Sequence, residues 1–155
     1  MIIYIILALA IIGADQLVKA WVIANIPLNE SQVFIPHVLS LTHIQNSGAA
    51  YSMLEGKQWF FYIVTVVALA VVAFLWKDSR KSQWYRFGLV LIFAGTIGNF
   101  IDRLRFQYVT DMFQLDFINF AIFNVADMAL TFGVIFVLIY VLFFDGKGEH
   151  SRNTQ

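Results

Sequence analysis

The sequence predicts an all-α membrane protein: four transmembrane helices carrying a small extracytoplasmic loop region that contains β-structure. Three observations carry this expectation. Of 155 residues, 60% are hydrophobic and only 13% are charged. A soluble domain is about half apolar and about a quarter charged. Four stretches approach the ~20 apolar residues that a bilayer core requires. Sixteen Phe, four Trp and six Tyr suit lipid-facing walls and interfacial belts.

The same numbers exclude whole classes. A mean hydropathy of +0.74 argues against a soluble enzyme or a disordered chain. The formal net charge of +0 gives no basic field for phosphate backbones, so no nucleic-acid partner is expected. The absence of cysteine removes disulfides, thiolate metal sites, a thiol nucleophile and a lipidated cysteine anchor.

The first helix is expected at about 1–26, interrupted by Asp15, Gln16 and Lys19. Its start lacks the basic segment of a signal peptide, and the apolar pattern resumes at Leu17, so it is read as uncleaved. The second runs over 59–76, with only Thr65 mildly polar. The third covers 84–103 and the fourth 123–144. Residues 1–155 are read as one integral membrane domain. Lys77, Arg80, Lys81, Arg86, Lys147 and Arg152 share one side, against Lys57, Arg103 and Arg105 on the other. Basic residues stay cytoplasmic, so both termini are expected there.

Two outer loops follow, 27–58 and 104–122. The stretch VFIPHVLSLTHI, from Val33 to Ile44, is rich in β-branched residues and predicts one or two short strands. The second loop is expected to dip into the interface through Leu115, Phe117, Ile118, Phe120 and Ile122. The 145–155 tail is polar and expected to fray. Tyr51 and Tyr108 are most simply interfacial.

Polar residues inside apolar helices are costly, so each needs a partner or a job. Asp15 and Lys19 are four apart, on one helix face, and able to pair. Asn99 and Arg103 are also four apart; Asn124 and Asp127 are three apart. All six fall near the outer ends of helices one, three and four. Asn46 and Asp111 sit in the outer loops. Gly95 and Gly98 flank the Asn99 face and permit close approach. A narrow polar pocket facing the outer leaflet is therefore expected.

Its chemistry is limited. His37 and His43 lie six apart, where a strand would place both on one face. Without an evident third ligand they make a weak metal signal, and packing or solvent contact is the simpler reading. His150 lies in the tail. Carboxylates remain: Asp111 leads back toward the membrane, and Asp127 stands in the first turns of helix four. Two carboxylates sharing a proton supply an acid and a base toward water, with no metal or cofactor. The positive end of helix four stabilises negative charge at Asp127.

The motifs Asp15-Gln16-x-x-Lys19, Asn46-Ser47-Gly48-Ala49-Ala50, Gly95-x-x-Gly98-Asn99-x-x-Asp102-Arg103, Val109-Thr110-Asp111 and Phe123-Asn124-Val125-Ala126-Asp127 occur in this order. With them the chain resembles the bacterial lipoprotein signal peptidases, or signal peptidase II. That resemblance implies an aspartic protease of the bacterial cytoplasmic membrane. Its substrates would be lipoprotein precursors whose lipobox cysteine carries diacylglyceryl, cut just before that cysteine. The family's catalytic pair corresponds to Asp111 and Asp127. Its supporting and substrate-contacting positions correspond to Asp15, Lys19, Asn46, Gly95, Asn99, Arg103 and Asn124. Ala94 and Met112 depart from residues common in the family, Gly and Phe, and both replacements are small or apolar.

The residues alone leave simpler roles open. Asp15 and Lys19 suit a structural ion pair, Arg103 and Arg105 snorkelling anchors, Gly95 and Gly98 packing, and Asn124 a helix cap. Asp102 is either a supporting charge or water-facing. Two other classes stay open: a proton-coupled transporter and a non-catalytic tetraspan assembly factor. The clustering of polar groups at one depth speaks against the first. Tolerance of an Asp→Asn change would favour the second. A monomer in contact with membrane lipid is expected.

Overall fold

The computed structural model describes residues 1–49, 53–79 and 82–144. Ala50, Tyr51, Arg80, Lys81, Lys147, His150 and Arg152, used above, lie outside the described residues. The elements run α1 (Ile2–Asn25), β1 (Ser31–Ile35), β2 (Leu39–Asn46), α2 (Gln58–Asp78), α3 (Gln83–Phe106), β3 (Val109–Leu115) and α4 (Val125–Phe143).

All four helices are long and apolar enough to cross a membrane. Their outward faces carry side chains such as Leu17 and Trp84, 72% and 69% exposed, which suit lipid rather than water. Helix α3 is the hub, packing against α1, α2 and α4. Half of its apolar window is buried, against 11% for α2. The α3–α4 seam is built on missing side chains. A Cβ at Gly88 would lie 2.9 Å from the Gly133 carbonyl oxygen, and one at Gly133 would lie 2.8 Å from that of Gly88. A Cβ at Gly95 would strike the Ala126 carbonyl. The pairs 88/133 and 95/126 are two helical turns apart on antiparallel helices, so the backbones touch along one line.

Helix ends differ from the sequence expectation by more than one residue in three places, the first being α2, which runs on to Asp78. α3 continues past Arg103 to Phe106 and stops at Gln107, whose φ of 63° is left-handed. α4 begins at Val125 because Asn124 caps it and Phe123 is engaged in a β-bridge with Phe113.

The three strands form one antiparallel sheet, ordered β1-β2-β3. The 104–122 segment is thus not simply a loop dipping into the interface. Its residues 109–115 add a third strand along the free edge of β2. Register pairs Ile44 with Asp111 and Asn46 with Val109, so Asn46 is the diagonal neighbour of Asp111. Met112 anchors β3 in a small core with Val22 and Ile26 at the C-terminal end of α1. The backbone N–H groups of Met112 and Phe113 donate to the Phe123 carbonyl at 3.1 and 2.8 Å. These ties hold the strand carrying Asp111 directly over the start of α4.

Candidate active site

Asp111 is buried on β3. Asn46 donates its Nδ2 to Asp111 Oδ2 at 2.9 Å, and Asn124 donates its Nδ2 to Oδ1 at 2.6 Å. Asp127 is the third residue of α4 and only partly buried. It closes a capping box: the Asn124 N–H donates to Asp127 Oδ2 at 3.2 Å, and the Asp127 N–H donates to Asn124 Oδ1 at 2.9 Å. Asn99 donates its Nδ2 to Asp127 Oδ1 at 2.8 Å. Asn124 therefore touches both carboxylates. Its oxygen serves the helix cap, which leaves its NH2 for Asp111.

The amide polarity is fixed from behind. Lys19 is buried and satisfies its three N–H bonds with Asp15 Oδ2 at 2.9 Å, Asp102 Oδ2 at 3.1 Å and Asn99 Oδ1 at 3.1 Å. Asn124 also donates to Asn99 Oδ1, at 3.1 Å. With its oxygen so occupied, Asn99 turns its NH2 to Asp127. Its amide is committed within the protein. Asp15 uses its other oxygen to accept the Ala126 N–H at 2.9 Å. Gly98 stands beside it because a Cβ there would lie 2.9 Å from Asp15 Oδ2. Gly95, by contrast, serves the α3–α4 seam.

Arg103 closes the opposite side. Its Nη2 donates to the Gly48 carbonyl at 2.9 Å, and its guanidinium lies 4.0 Å from the Phe61 ring centre. The Gly48 N–H donates to Asn46 Oδ1 at 3.0 Å, so Arg103 steadies the same asparagine that holds Asp111. Arg103 Nη1 is buried and makes no hydrogen bond among the described residues.

Burial first, and then the nearby charge of Asp127, push the Asp111 carboxyl up to about 7. The amide donors and Lys19 act in the other direction without cancelling the rise.

The histidines separate. His37 lies in the β1–β2 turn with φ 61°, not on a strand. His43 is buried on β2, its Nδ1 2.8 Å from the Ile26 carbonyl oxygen. They do not share a strand face. Among the described residues no group of three or more His, Cys, Asp or Glu is placed to hold a metal ion.

A family model described as signal peptidase (SPase) II matches residues 7–143. The chain belongs to the signal peptidase II family. Relatives named lipoprotein signal peptidase agree. That of Latilactobacillus sakei is 57% identical over 143 residues, covering 92% of this chain and 95% of its own. That of Enterococcus faecalis is 47% identical over 154 residues, covering 99% and 96%. Two solved structures described as bacterial membrane enzymes share the fold. One has a TM-score of 0.89 at 32% identity, covering 100% of this chain and 94% of that one. The other has a TM-score of 0.86 at 34% identity, covering 94% and 95%. The chain is thus a multi-pass membrane peptidase of the signal peptidase II family.

In this family member the carboxylate pair has a deeper support than the sequence alone suggests. Asp102 is buried, not water-facing. It accepts from Lys19, from Gln16 Nε2 at 2.9 Å and from the Thr110 N–H at 3.1 Å. Gln16 also donates to Asp15 at 3.2 Å. Asp102 thereby ties α3 to the residue preceding Asp111. The available signal was its place one helical turn after Gly98 and Asn99.

Proposed function

We propose that this signal peptidase II family member is an intramembrane aspartic endopeptidase that removes signal peptides from diacylglyceryl-modified lipoprotein precursors, cutting just before the lipidated cysteine. The observation that carries the reading is the convergence of Asp111 and Asp127 on one side chain, Asn124. That arrangement joins a carboxyl that holds a proton near neutral pH to a second carboxylate open enough for water.

Asp127 takes a proton from the water as its oxygen attacks the scissile carbonyl carbon. Asp111 gives its proton to the carbonyl oxygen, forming a tetrahedral diol. Collapse returns that proton to Asp111. Asp127 passes its proton to the leaving nitrogen as the C–N bond breaks. The products are a carboxylic acid and an amine, and the pair is restored without metal or cofactor.

A peptide bond in a membrane helix is shielded by its own hydrogen bonds. The substrate must unwind beside the pair, and Arg103 Nη1 is the free donor for an exposed substrate carbonyl. Every group in the site comes from one chain, which supports action as a monomer and as one membrane domain. The basic residues of the 77–86 segment and the tail support a cytoplasmic location for both termini. The bacterial inner membrane follows from the family, with the carboxylate pair near its outer leaflet.

The test uses purified protein in nanodiscs with a diacylglyceryl-modified lipobox precursor. Wild type should cleave before the modified cysteine, while folded Asp111→Asn and Asp127→Asn should be inert. A variant retaining near-wild-type cleavage would remove its carboxylate from the mechanism. No cleavage by folded wild type would sink the protease reading.

A further inference from the structure

We propose that a groove at the opposite end of the bundle from Asp111 and Asp127 holds one acyl chain of an anionic phospholipid, with the lipid phosphate at Arg86. The groove, about 540 Å³, is walled by α1 from Met1 to Ile12 and by α2 from Leu69 to Trp76. Its floor is α3 from Leu89 to Phe93. These are the first turns of α1, the last of α2 and the first of α3, so the groove reaches the membrane surface there. Measured along α1 it runs ~16 Å. Half of a ~30 Å hydrocarbon core is about the same, so the groove spans one leaflet.

A single alkyl chain matches the length of this groove and its lining of aliphatic and aromatic side chains.

Charge selects the headgroup. Tyr4 and Trp76 meet edge to face at 5.6 Å across the groove's end. The Arg86 guanidinium lies 5.9 Å from the Tyr4 ring centre. Arg86 Nε is buried and makes no hydrogen bond among the described residues. Residues 77–86 carry Lys77, Arg80, Lys81 and Arg86 against Asp78 alone. A planar guanidinium beside Tyr4 at the end of an apolar slot, inside a basic segment, suits a phosphate followed by a hydrocarbon tail.

The experiment is native mass spectrometry of the full-length protein in detergent. It is titrated with phosphatidylglycerol or with phosphatidylcholine of identical acyl chains. Wild type should retain phosphatidylglycerol with about a fivefold preference, the worth of one basic side chain beside anionic headgroups. Arg86→Gln should abolish the preference, and Arg86→Lys should keep most of it. Ala73→Trp, on the exposed groove wall, should remove both lipids. Equal retention of the two lipids by wild type would overturn the proposal. So would an unchanged preference in Arg86→Gln, or wild-type retention in Ala73→Trp. Displacement of bound phosphatidylglycerol by a synthetic signal-peptide helix would also overturn it, assigning the groove to peptide. None of these outcomes depends on cleavage, so the lipid site and the protease reading stand or fall separately.

Discussion

The carboxylate of Asp15, on α1, accepts the backbone N–H of Ala126 at 2.9 Å, on the residue immediately before Asp127. The first N–H groups of a helix have no partner within it. In a dry bundle each such group must be satisfied by another element. Asp15 meets that need for α4, and in doing so fixes the rotation of the turn that carries Asp127. Lys19 and Gln16 hold Asp15 in place from its own helix. An acidic residue in an apolar helix is thus accounted for without giving it a part in bond cleavage.

Substitutions at Asp15 should separate its two contributions. Asp15→Asn keeps an oxygen for the Ala126 N–H but loses the charge opposite Lys19. Asp15→Ala loses both and leaves a buried N–H unsatisfied, at a cost of about 1–3 kcal/mol. Thermal stability and cleavage should therefore rank wild type, then Asn, then Ala, with the Ala variant losing tenfold or more in rate. Unfolding scans and precursor cleavage in the same detergent check the order. An Ala variant as active as wild type would remove Asp15 from the support of Asp127.

Two glycines one might treat alike should behave oppositely. A Cβ at Gly95 meets the Ala126 carbonyl, and also Leu130 Cγ at 2.8 Å, at the first turn of α4. Overpacking of this kind costs about 1–3 kcal/mol, and here it would also displace Asp127. Gly13 on α1 has nothing within 4 Å of an added Cβ. Ala there should stabilise by up to about 1 kcal/mol through helix propensity. Parallel measurement of Tm and cleavage for Gly95→Ala and Gly13→Ala decides. Equal effects would contradict the seam.

How far the sequence carries is visible in single residues. The four-residue spacing of Asp15 and Lys19 pointed to pairing, and the two meet at 2.9 Å. A helix cap was one simpler role open to Asn124, and a capping box with Asp127 is present. Both are local contacts, set by helical geometry alone. Strand β3 was not legible. Its seven residues, VTDMFQL, show no alternation, because the first four, Val109 to Met112, are buried on both faces of the strand. The Gly88–Gly133 contact was equally hidden, since it depends on which faces of two distant helices meet. Asp102 was ambiguous because its partners Lys19, Gln16 and Thr110 come from elsewhere in the chain.

Acidity gives the next test. The Asp111 carboxyl stands at about 7 when folded, against 3.8 for a free side chain. Between about pH 4 and 7 the folded protein keeps a proton that the unfolded chain has released. Stability from this group therefore falls as pH rises through that window and levels off above it, by at most about 4 kcal/mol. Asp111→Asn removes the titration. Its Tm advantage over wild type should grow from pH 4 to pH 7 and then stay constant. Cleavage by wild type should decline above pH 7 as Asp111 loses the proton it must donate. A Tm difference that is flat with pH would show that Asp111 does not titrate there.

Asn124→Asp separates the cap from the chemistry. Asn124 accepts the Asp127 N–H with its oxygen and donates to Asp111 and Asn99 with its nitrogen. Aspartate keeps the acceptor and remains a good N-cap, so α4 should hold its start. It replaces the donor with an oxygen facing the Asp111 carboxylate at the present 2.6 Å contact and the Asn99 oxygen at 3.1 Å. Two carboxyl groups at that separation must share a proton, and Asp111 loses one of its two amide donors. Cleavage should fall at least a hundredfold at pH 7 while helical content is unchanged, and part of it should return at lower pH as the new carboxylate is protonated. Asn124→Ala should instead lose the cap, at about 1 kcal/mol, and show no recovery on acidification. Circular dichroism with cleavage measured from pH 5 to 8 distinguishes the two. Near-wild-type cleavage by Asn124→Asp at pH 7 would show that Asn124 acts on the pair only through the helix start.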